Sequence, residues 1–406
     1  MKSRWMLLLA SLLLALLFGE LCAQWILRRS PDSGFMEADF YVRNLEQTDW
    51  EGGTWLRAHE PHPYFGFVAT NADSIRANNY GFTESEPFPY QKKSADEYVI
   101  AVLGGSVAQS WATWIKGGGS EHFLSALKKR IPALGKRKVV LLNMSLGGFK
   151  QPQQYYVASY FLESVDLFVN LEGFNELYGY KNAPVYPVEY PVASYLFFWR
   201  GKQAIEASWK LQLMGRWNHF LMEKGARHRW LAPSALYFSL AKGVFRWTAD
   251  ASAEVAEKAR KSAEQELSNP HRSFYTEGEK KQDPRQAAVE IWERFVRQEQ
   301  QIVTAFGKRA VFFLQPNQYL LGSKPFNAWE IGHVFNKNVA EKTHEYRMLT
   351  EAVKRMRGRK LPIHDLTMIY ATEKETVYAD SCCHVNELGN RIMSEAIAKG
   401  IAESLR

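Results

Sequence analysis

Apolar and polar residues follow two patterns along this chain, one typical of buried strands and one of amphipathic helices. Short apolar runs rich in valine, leucine and phenylalanine predict five strands, at residues 99–103, 138–143, 165–171, 310–314 and 362–366. Helical spacing of apolar residues predicts helices near residues 108–115, 121–130, 151–163, 288–306 and 339–355, and at the carboxyl terminus. Strands that alternate with helices form βαβ units, so the pattern predicts an α/β domain with a parallel sheet.

The chain begins with a long apolar segment. Lys2 and Arg4 precede a run of leucine and alanine, and the stretch Trp5–Leu27 covers 23 positions, which is enough for a helix that spans a bilayer. Cleavage after Ala23 is the alternative, but Leu21 stands where a signal peptidase prefers a small residue. We therefore predict an uncleaved, single-pass signal anchor at residues 1–29, with the bulk of the chain exported.

Two regions fall outside the alternation of strands and helices. Residues 30–96 are aromatic and turn-rich, and we interpret them as a lead-in that packs on an α/β domain covering residues 97–406. A helical insertion at about 185–305 interrupts that domain. Within it, residues 200–230 carry seven basic and two acidic residues, hence a charge of +5, interleaved with Trp209, Trp217 and Trp230 and preceded by Trp199. This composition suits a helix on an anionic membrane surface, although we favour packing of the tryptophans within their own domain.

Composition narrows the function classes. Of the 406 residues, 46% are hydrophobic and 14% aromatic, so the chain can form a large core and is not expected to be disordered. The net charge of +8 indicates no particular partner by itself. The chain has no phosphate-binding loop and no zinc-type spacing of cysteine and histidine, so we expect no cofactor, no metal and no nucleic acid. Three cysteines are too few for a disulfide framework.

Residues suited to acyl transfer follow several of the predicted strands. The reaction needs a nucleophile, a base, a group that orients the base, and donors for the oxyanion. Ser106 follows the first strand, Gly148 the second and Asn175 the third, while Asp380 and His384 share a loop before the last helix. Each residue alone also fits a structural role, as a cap, a turn or a loop histidine. Their order along successive strand ends favours catalysis.

These segments resemble the sequence blocks of the SGNH hydrolases, the GDSL-type esterases. Leu103–Val107 (Leu-Gly-Gly-Ser-Val) resembles the first block, with Gly105 where the family usually has aspartate. Asn143–Gly148 resembles the second block. Gly173–Glu176 (Gly-Phe-Asn-Glu) resembles the third, with glutamate in place of the last aspartate. Asp380–His384 resembles the final block, but three residues instead of two separate the aspartate from the histidine.

The resemblance covers about residues 98–176 and 310–400 and implies a fold and an activity. The implied fold is a three-layer α/β/α, flavodoxin-like SGNH fold with a five-stranded, mostly parallel sheet. The implied activity is that of a serine esterase or O-acyltransferase. Together with the predicted export, it indicates an O-acyl group, first of all O-acetyl, on an envelope or exported polysaccharide. A lipid-ester hydrolase and an inactive carbohydrate-binding or assembly protein remain alternatives.

The resemblance also implies a role for each site residue. Ser106 attacks an ester carbonyl, His384 takes the hydroxyl proton, and Asp380 orients the imidazole. The backbone amides of Ser106 and Gly148 and the side chain of Asn175 hold the oxyanion.

Two points about the last block stay open. Asp365, after the fifth strand, could replace Asp380 as the group that orients His384. Cys382 and Cys383 lie between Asp380 and His384. They could be free thiols or, in an oxidising compartment, a vicinal disulfide.

Overall fold

The chain is described here by a computed structural model that covers residues 2–30, 35, 40–42, 44, 59–71, 76–178, 202–228, 230–231, 233–267, 283–335 and 339–406. These residues group into two compact units, Met1–His59 with Arg200–Glu266 and Glu60–Trp199 with Leu267–Arg406. Parts of the predicted lead-in and insertion, Trp199 among them, lie outside the described residues. The predicted division at residues 29 and 96 remains a prediction.

The described part of the chain contains seven strands and eleven α-helices, together with three shorter helical turns. The strands are β1 (His59–His62), β2 (Gly66–Ala69), β3 (Glu97–Gly104), β4 (Lys138–Asn143), β5 (Leu167–Glu172), β6 (Arg309–Leu314) and β7 (Ile363–Asp365). The helices are α1 (Lys2–Arg29), α2 (Ser106–Trp114), α3 (Ser120–Arg130), α4 (Gln153–Tyr160), α5 (Phe174–Tyr178), α6 (Lys202–Arg227), α7 (Ala235–Leu267), α8 (Pro284–Ala305), α9 (Ala328–His333), α10 (Val339–Gly358) and α11 (Glu387–Ser404).

The five predicted strands of the sheet are confirmed, each within two residues of its predicted ends. Helix α2 begins at Ser106 itself, two residues before the predicted start. The glycine-rich break after α2 is a π-helical turn in which Gly118 has a φ of 134°, a conformation that favours glycine. Helix α4 is shorter than predicted and begins after Pro152, whose nitrogen has no hydrogen to donate.

The sheet is parallel throughout and has the strand order β4-β3-β5-β6-β7. The chain therefore moves from β3 to one side and then crosses back over it to β5 on the other side. This is the flavodoxin-like order, and it creates a topological switch point between β3 and β5, where ligands bind in open α/β sheets. The predicted, mostly parallel five-stranded sheet is confirmed, with every strand pair parallel.

Helices cover both faces of this sheet. Ile100 and Val102 of β3 point to one face, and they belong to a buried cluster with residues of α2, α3 and α11. On the other face, Asn170 of β5 bonds to Glu299 of α8. Because both faces are covered, the strands are almost continuously apolar rather than alternating. The layers are those of an α/β/α fold.

The first unit contains the apolar helix α1 and the helices α6 and α7. By length and composition, the segment Ala10–Arg29 of α1 could cross a membrane. Within that segment, the Glu20 carboxylate accepts hydrogen bonds from the hydroxyl of Ser234 and from the backbone N–H groups of Ala235 and Leu236. A carboxylate at this position satisfies donors that the start of a helix leaves unpaired. It joins α1 to the first turn of α7.

Candidate active site

Ser106 lies at the carboxyl edge of the sheet because two glycines end β3. Gly104 has a φ of 138°, and a Cβ added to it would lie 2.1 Å from the carbonyl oxygen of Leu171. A Cβ added to Gly105 would lie 2.1 Å from Nδ2 of Asn175. Only glycine permits this close approach of β3 to β5. The chain then starts α2 at Ser106, which is half-buried and thus still accessible.

The loop after β4 and the Asn175 side chain both lie next to Ser106. Nδ2 of Asn175 donates to the carbonyl oxygen of Phe149 at 2.8 Å. The backbone N–H of Gly147 donates to Oε1 of Gln109 at 2.9 Å. A Cβ added to Gly147 would lie 3.8 Å from Cβ of Ser106. The loops that follow β3, β4 and β5 therefore converge at the switch point.

Three N–H donors around Ser106 are available to a ligand. The backbone N–H of Ser106 is the first of α2, where no carbonyl of the helix can accept it. Among the described residues, neither this N–H nor that of Gly148 has an acceptor, and Asn175 uses one of its two amide hydrogens. Gly148 has a φ of 84°, which favours glycine. Donors of this kind can stabilise an oxyanion.

Asp380 and His384 form a hydrogen-bonded pair. Nδ1 of His384 lies 2.5 Å from Oδ2 of Asp380. The carboxylate is an acceptor, so Nδ1 carries the hydrogen and Nε2 is left as the basic nitrogen. The described side chains do not pair Asp365 with His384, since Asp365 instead accepts from the backbone N–H and the hydroxyl of Thr367.

The backbone wraps around the Asp380 carboxylate. Oδ1 of Asp380 accepts the N–H groups of Cys382, Cys383 and His384 at 2.9, 3.1 and 3.2 Å. This turn brings the ring of His384 back to Oδ2 of the same carboxylate. The three residues between Asp380 and His384 thus form a turn that closes on the carboxylate.

The pair shifts both pKa values. Burial alone would raise the pKa of Asp380, but the hydrogen bonds and charge of His384, together with the backbone donors, hold it below its ordinary value. Burial alone would lower the pKa of His384, but the hydrogen bond and charge of Asp380 outweigh it and raise that pKa above its ordinary value. Asp380 is therefore the ionised partner of the pair.

Helix packing relates the pair to Ser106. Nε1 of Trp111 in α2 donates to Oγ of Ser394 in α11 at 2.9 Å. This contact packs α11 against α2, whose first residue is Ser106, and His384 precedes α11 by three residues. Among the described residues, no hydrogen bond joins the Ser106 hydroxyl to His384.

Other residues position the site, and the sequence analysis did not single them out. Gln109 holds Gly147 through Oε1 and donates from Nε2 to the hydroxyl of Thr83 at 3.0 Å. Gln109 follows Ser106 by three residues, so the two lie on the same side of α2. Helical spacing could therefore have indicated from the sequence that Gln109 lies beside the site. Gln318 and Tyr319 donate to the carbonyl oxygens of Asp380 and Ser381. No local pattern indicates those two contacts.

A buried polar network lies beneath the loop that carries Asn175. Glu172 accepts from Nε1 of Trp292 at 2.6 Å and from Nε2 of Gln151 at 2.7 Å. Glu299 accepts from Gln151 as well, at 3.1 Å, and from Nδ2 of Asn170 at 2.7 Å. Burial raises the pKa of both glutamates, that of Glu299 to about 7. The network joins the end of β5 to α8.

In the part of the chain that the structure describes, no group of three or more histidine, cysteine, aspartate or glutamate side chains could hold a metal ion. The candidate site described above brings together Ser106, the His384–Asp380 pair and N–H donors. No protein-family model matches this chain, and no curated protein matches it.

Proposed function

We propose that this chain is a membrane-anchored serine esterase or O-acyltransferase of the SGNH type. The observation that carries the proposal is the hydrogen-bonded pair of His384 and Asp380, held at the sheet edge where Ser106 begins a helix. The flavodoxin-like strand order supports it, because the switch point between β3 and β5 is the expected ligand site. The three unused N–H donors beside Ser106 support it further.

The proposed reaction proceeds through an acyl-enzyme. Oγ of Ser106 attacks the ester carbonyl while Nε2 of His384 takes its proton, and Asp380 stabilises the imidazolium. The amides of Ser106, Gly148 and Asn175 donate to the oxyanion. His384 then returns the proton to the departing alkoxide, and the alcohol leaves. Water or a sugar hydroxyl attacks the acyl-enzyme in the second half of the reaction, which distinguishes hydrolysis from transfer.

The proposed substrate is an O-acyl group, first of all O-acetyl, on a polysaccharide of the cell envelope or an exported one. The support is the apolar helix α1, with a segment able to cross a membrane. In this proposal α1 anchors the chain and the α/β domain lies on the exported side.

Labelling with a fluorophosphonate probe tests the proposed nucleophile. The full chain in detergent should acquire the probe at Ser106, and Ser106→Ala should abolish labelling and lower hydrolysis of p-nitrophenyl acetate by up to ~10⁶. Ser110→Ala is the matched control, because Ser110 lies one turn further along α2 and is exposed. Folded protein that is not labelled would favour the inactive carbohydrate-binding or assembly protein, and labelling that survives Ser106→Ala would refute the assignment.

A lipid-ester hydrolase is the second candidate. The observation that favours it is the exposure of Trp217, Trp230 and Trp247, by 57%, 74% and 59%, in the unit that contains α1. Tryptophans are common where proteins meet the membrane interface. Comparison of p-nitrophenyl acetate with long-chain p-nitrophenyl esters separates the two functions. A strong preference for long chains would favour the lipid substrate.

A further inference from the structure

Two adjacent thiols lie inside the turn that orients His384. Cys382 and Cys383 are both reduced, and their Sγ atoms are 3.3 Å apart. A disulfide bond is about 2.05 Å long, so an oxidant that joins the two sulfur atoms must also bring them closer together. The third cysteine, Cys22, is exposed on α1 and belongs to the other compact unit.

The two thiols differ in the way a redox-active pair requires. Cys382 is half-buried and can meet a reagent, whereas Cys383 is buried. The hydrogen bond from Cys383, together with the charges of His384 and Lys342, lowers the pKa of Cys382. Burial raises the pKa of Cys383. Because the thiolate is the reactive form, Cys382 is the attacking sulfur and Cys383 the resolving one.

A bond between these sulfurs would disturb the turn. Consecutive Cα atoms are about 3.8 Å apart, whereas an ordinary disulfide joins Cα atoms about 4.4–6.8 Å apart. The backbone between Cys382 and Cys383 must therefore change to close the ring. That backbone carries two of the three N–H groups that hold Oδ1 of Asp380. A change in this backbone would displace those two donors from the Asp380 carboxylate.

We propose that Cys382 and Cys383 form a redox modification site, a dithiol that disulfide compounds oxidise to a vicinal disulfide and that controls the His384–Asp380 pair. Cys382 attacks the disulfide RSSR, forms Cys382–S–SR and releases RS⁻. Cys383 then attacks Sγ of Cys382 and releases the second RS⁻. The protons of the two cysteines end on the two released thiolates, so one RSSR becomes two RSH. The effect on activity rests on the proposed function, whereas the modification does not.

Intact-mass measurement tests the modification on the full chain in detergent. Incubation with oxidised glutathione should lower the mass by two hydrogens without leaving glutathione attached at Cys382 or Cys383, and dithiothreitol should restore it. Cys382→Ser should abolish this change, whereas Cys22→Ser, which alters the exposed thiol of the other compact unit, should retain it. An unchanged mass at every ratio of oxidised to reduced glutathione would overturn the proposal.

Fluorophosphonate labelling tests the control of the site. Oxidation should slow labelling of Ser106 by about 10-fold or more, since loss of an oriented carboxylate costs up to ~10⁴ in a comparable triad. Labelling of Cys382→Ser should be the same with and without oxidised glutathione. A disulfide that leaves the labelling rate unchanged would refute the control of the site. If the reduced protein is not labelled either, the proposed function fails. The intact mass after incubation with oxidised glutathione then still decides whether the dithiol is redox-active.

Discussion

The side chain of Asn175 occupies the space that the missing side chain of Gly105 leaves. A Cβ at residue 105 would lie 2.1 Å from Nδ2 of Asn175, so aspartate at that position would displace the amide. Asn175 in turn donates to Phe149 and so ties the loop after β4 to the loop after β5. At the residue scale, the small side chain at 105 and the position of the amide depend on each other.

Asp380→Asn tests the carboxylate of the pair. Asp380 raises the pKa of His384 above that of an ordinary histidine. The imidazole therefore stays protonated up to a higher pH, and a protonated imidazole cannot act as a base. We expect kcat/KM of the native chain to rise with pH through that raised pKa. Asp380→Asn should lower the rate by about 10²–10⁴, because an amide favours the wrong tautomer, and should move the acid limb to lower pH.

The pH profile of ester hydrolysis is the measurement, with Asp365→Asn as the matched control. Asp365 bonds to Thr367 instead of His384, so its substitution should leave the acid limb in place. Movement of the limb in Asp365→Asn but not in Asp380→Asn would assign the orienting role to Asp365.

At the scale of elements, buried carboxyl groups join β5, α5 and α8. Glu172 ends β5, Glu176 lies on α5 and accepts from the backbone N–H of Gly173, and Glu299 lies on α8. All three are buried, and burial raises the pKa of each. Buried carboxyl groups are costly when ionised. The contact between sheet and helix should therefore depend on pH.

We expect the free energy of unfolding to fall as the pH rises. The folded state holds the proton of Glu299 up to about pH 7, whereas the unfolded chain releases it near the ordinary value of 4.5. The folded state thus binds more protons between these values, and stability falls through this window by on the order of 3 kcal/mol. Urea unfolding in detergent at pH 4.5 and pH 8 measures the loss.

Glu299→Gln should flatten this dependence, because an amide does not titrate. Glu290→Gln is the control on the same helix, since Glu290 is exposed and its substitution should leave the slope unchanged. If the free energy of unfolding changes with pH equally in the native chain and in Glu299→Gln, the titration of Glu299 does not cause the change.

At the scale of the whole molecule, an apolar helix and an α/β domain occupy different compact units. The charges beside α1 do not decide its orientation, because Lys2 and Arg4 precede the apolar residues while Arg28 and Arg29 follow them. Orientation therefore has to be measured, and the proposed polysaccharide substrate requires the exported side.

Reporter fusions after Arg406 test this topology. We expect alkaline phosphatase fused there to be active and green fluorescent protein fused there to be dark, because each folds on one side of the membrane. The mass of the purified chain should also include α1, as an uncleaved anchor requires. A fluorescent fusion with an inactive phosphatase would place the domain in the cytoplasm, and a chain that starts after Ala23 would show cleavage.

The sequence by itself determined the elements and the order of the candidate residues. Each strand of the sheet is a short apolar run, and such a run predicts a buried strand because burial on both faces demands apolar side chains along its length. Ser106, Gly148 and Asn175 could be assigned to strand ends for the same reason. A local count of apolar residues was also enough to predict that α1 is long and apolar enough to cross a membrane.

Only the tertiary structure decided the strand order, the partner of His384 and the contacts that hold the site. The choice of Asp380 over Asp365 depends on a turn closed by backbone N–H groups. The positions of Gln109 and Tyr319 depend on loops far apart along the chain. Hydrophobic periodicity records which face of each element is buried, but it does not record which distant element covers that face.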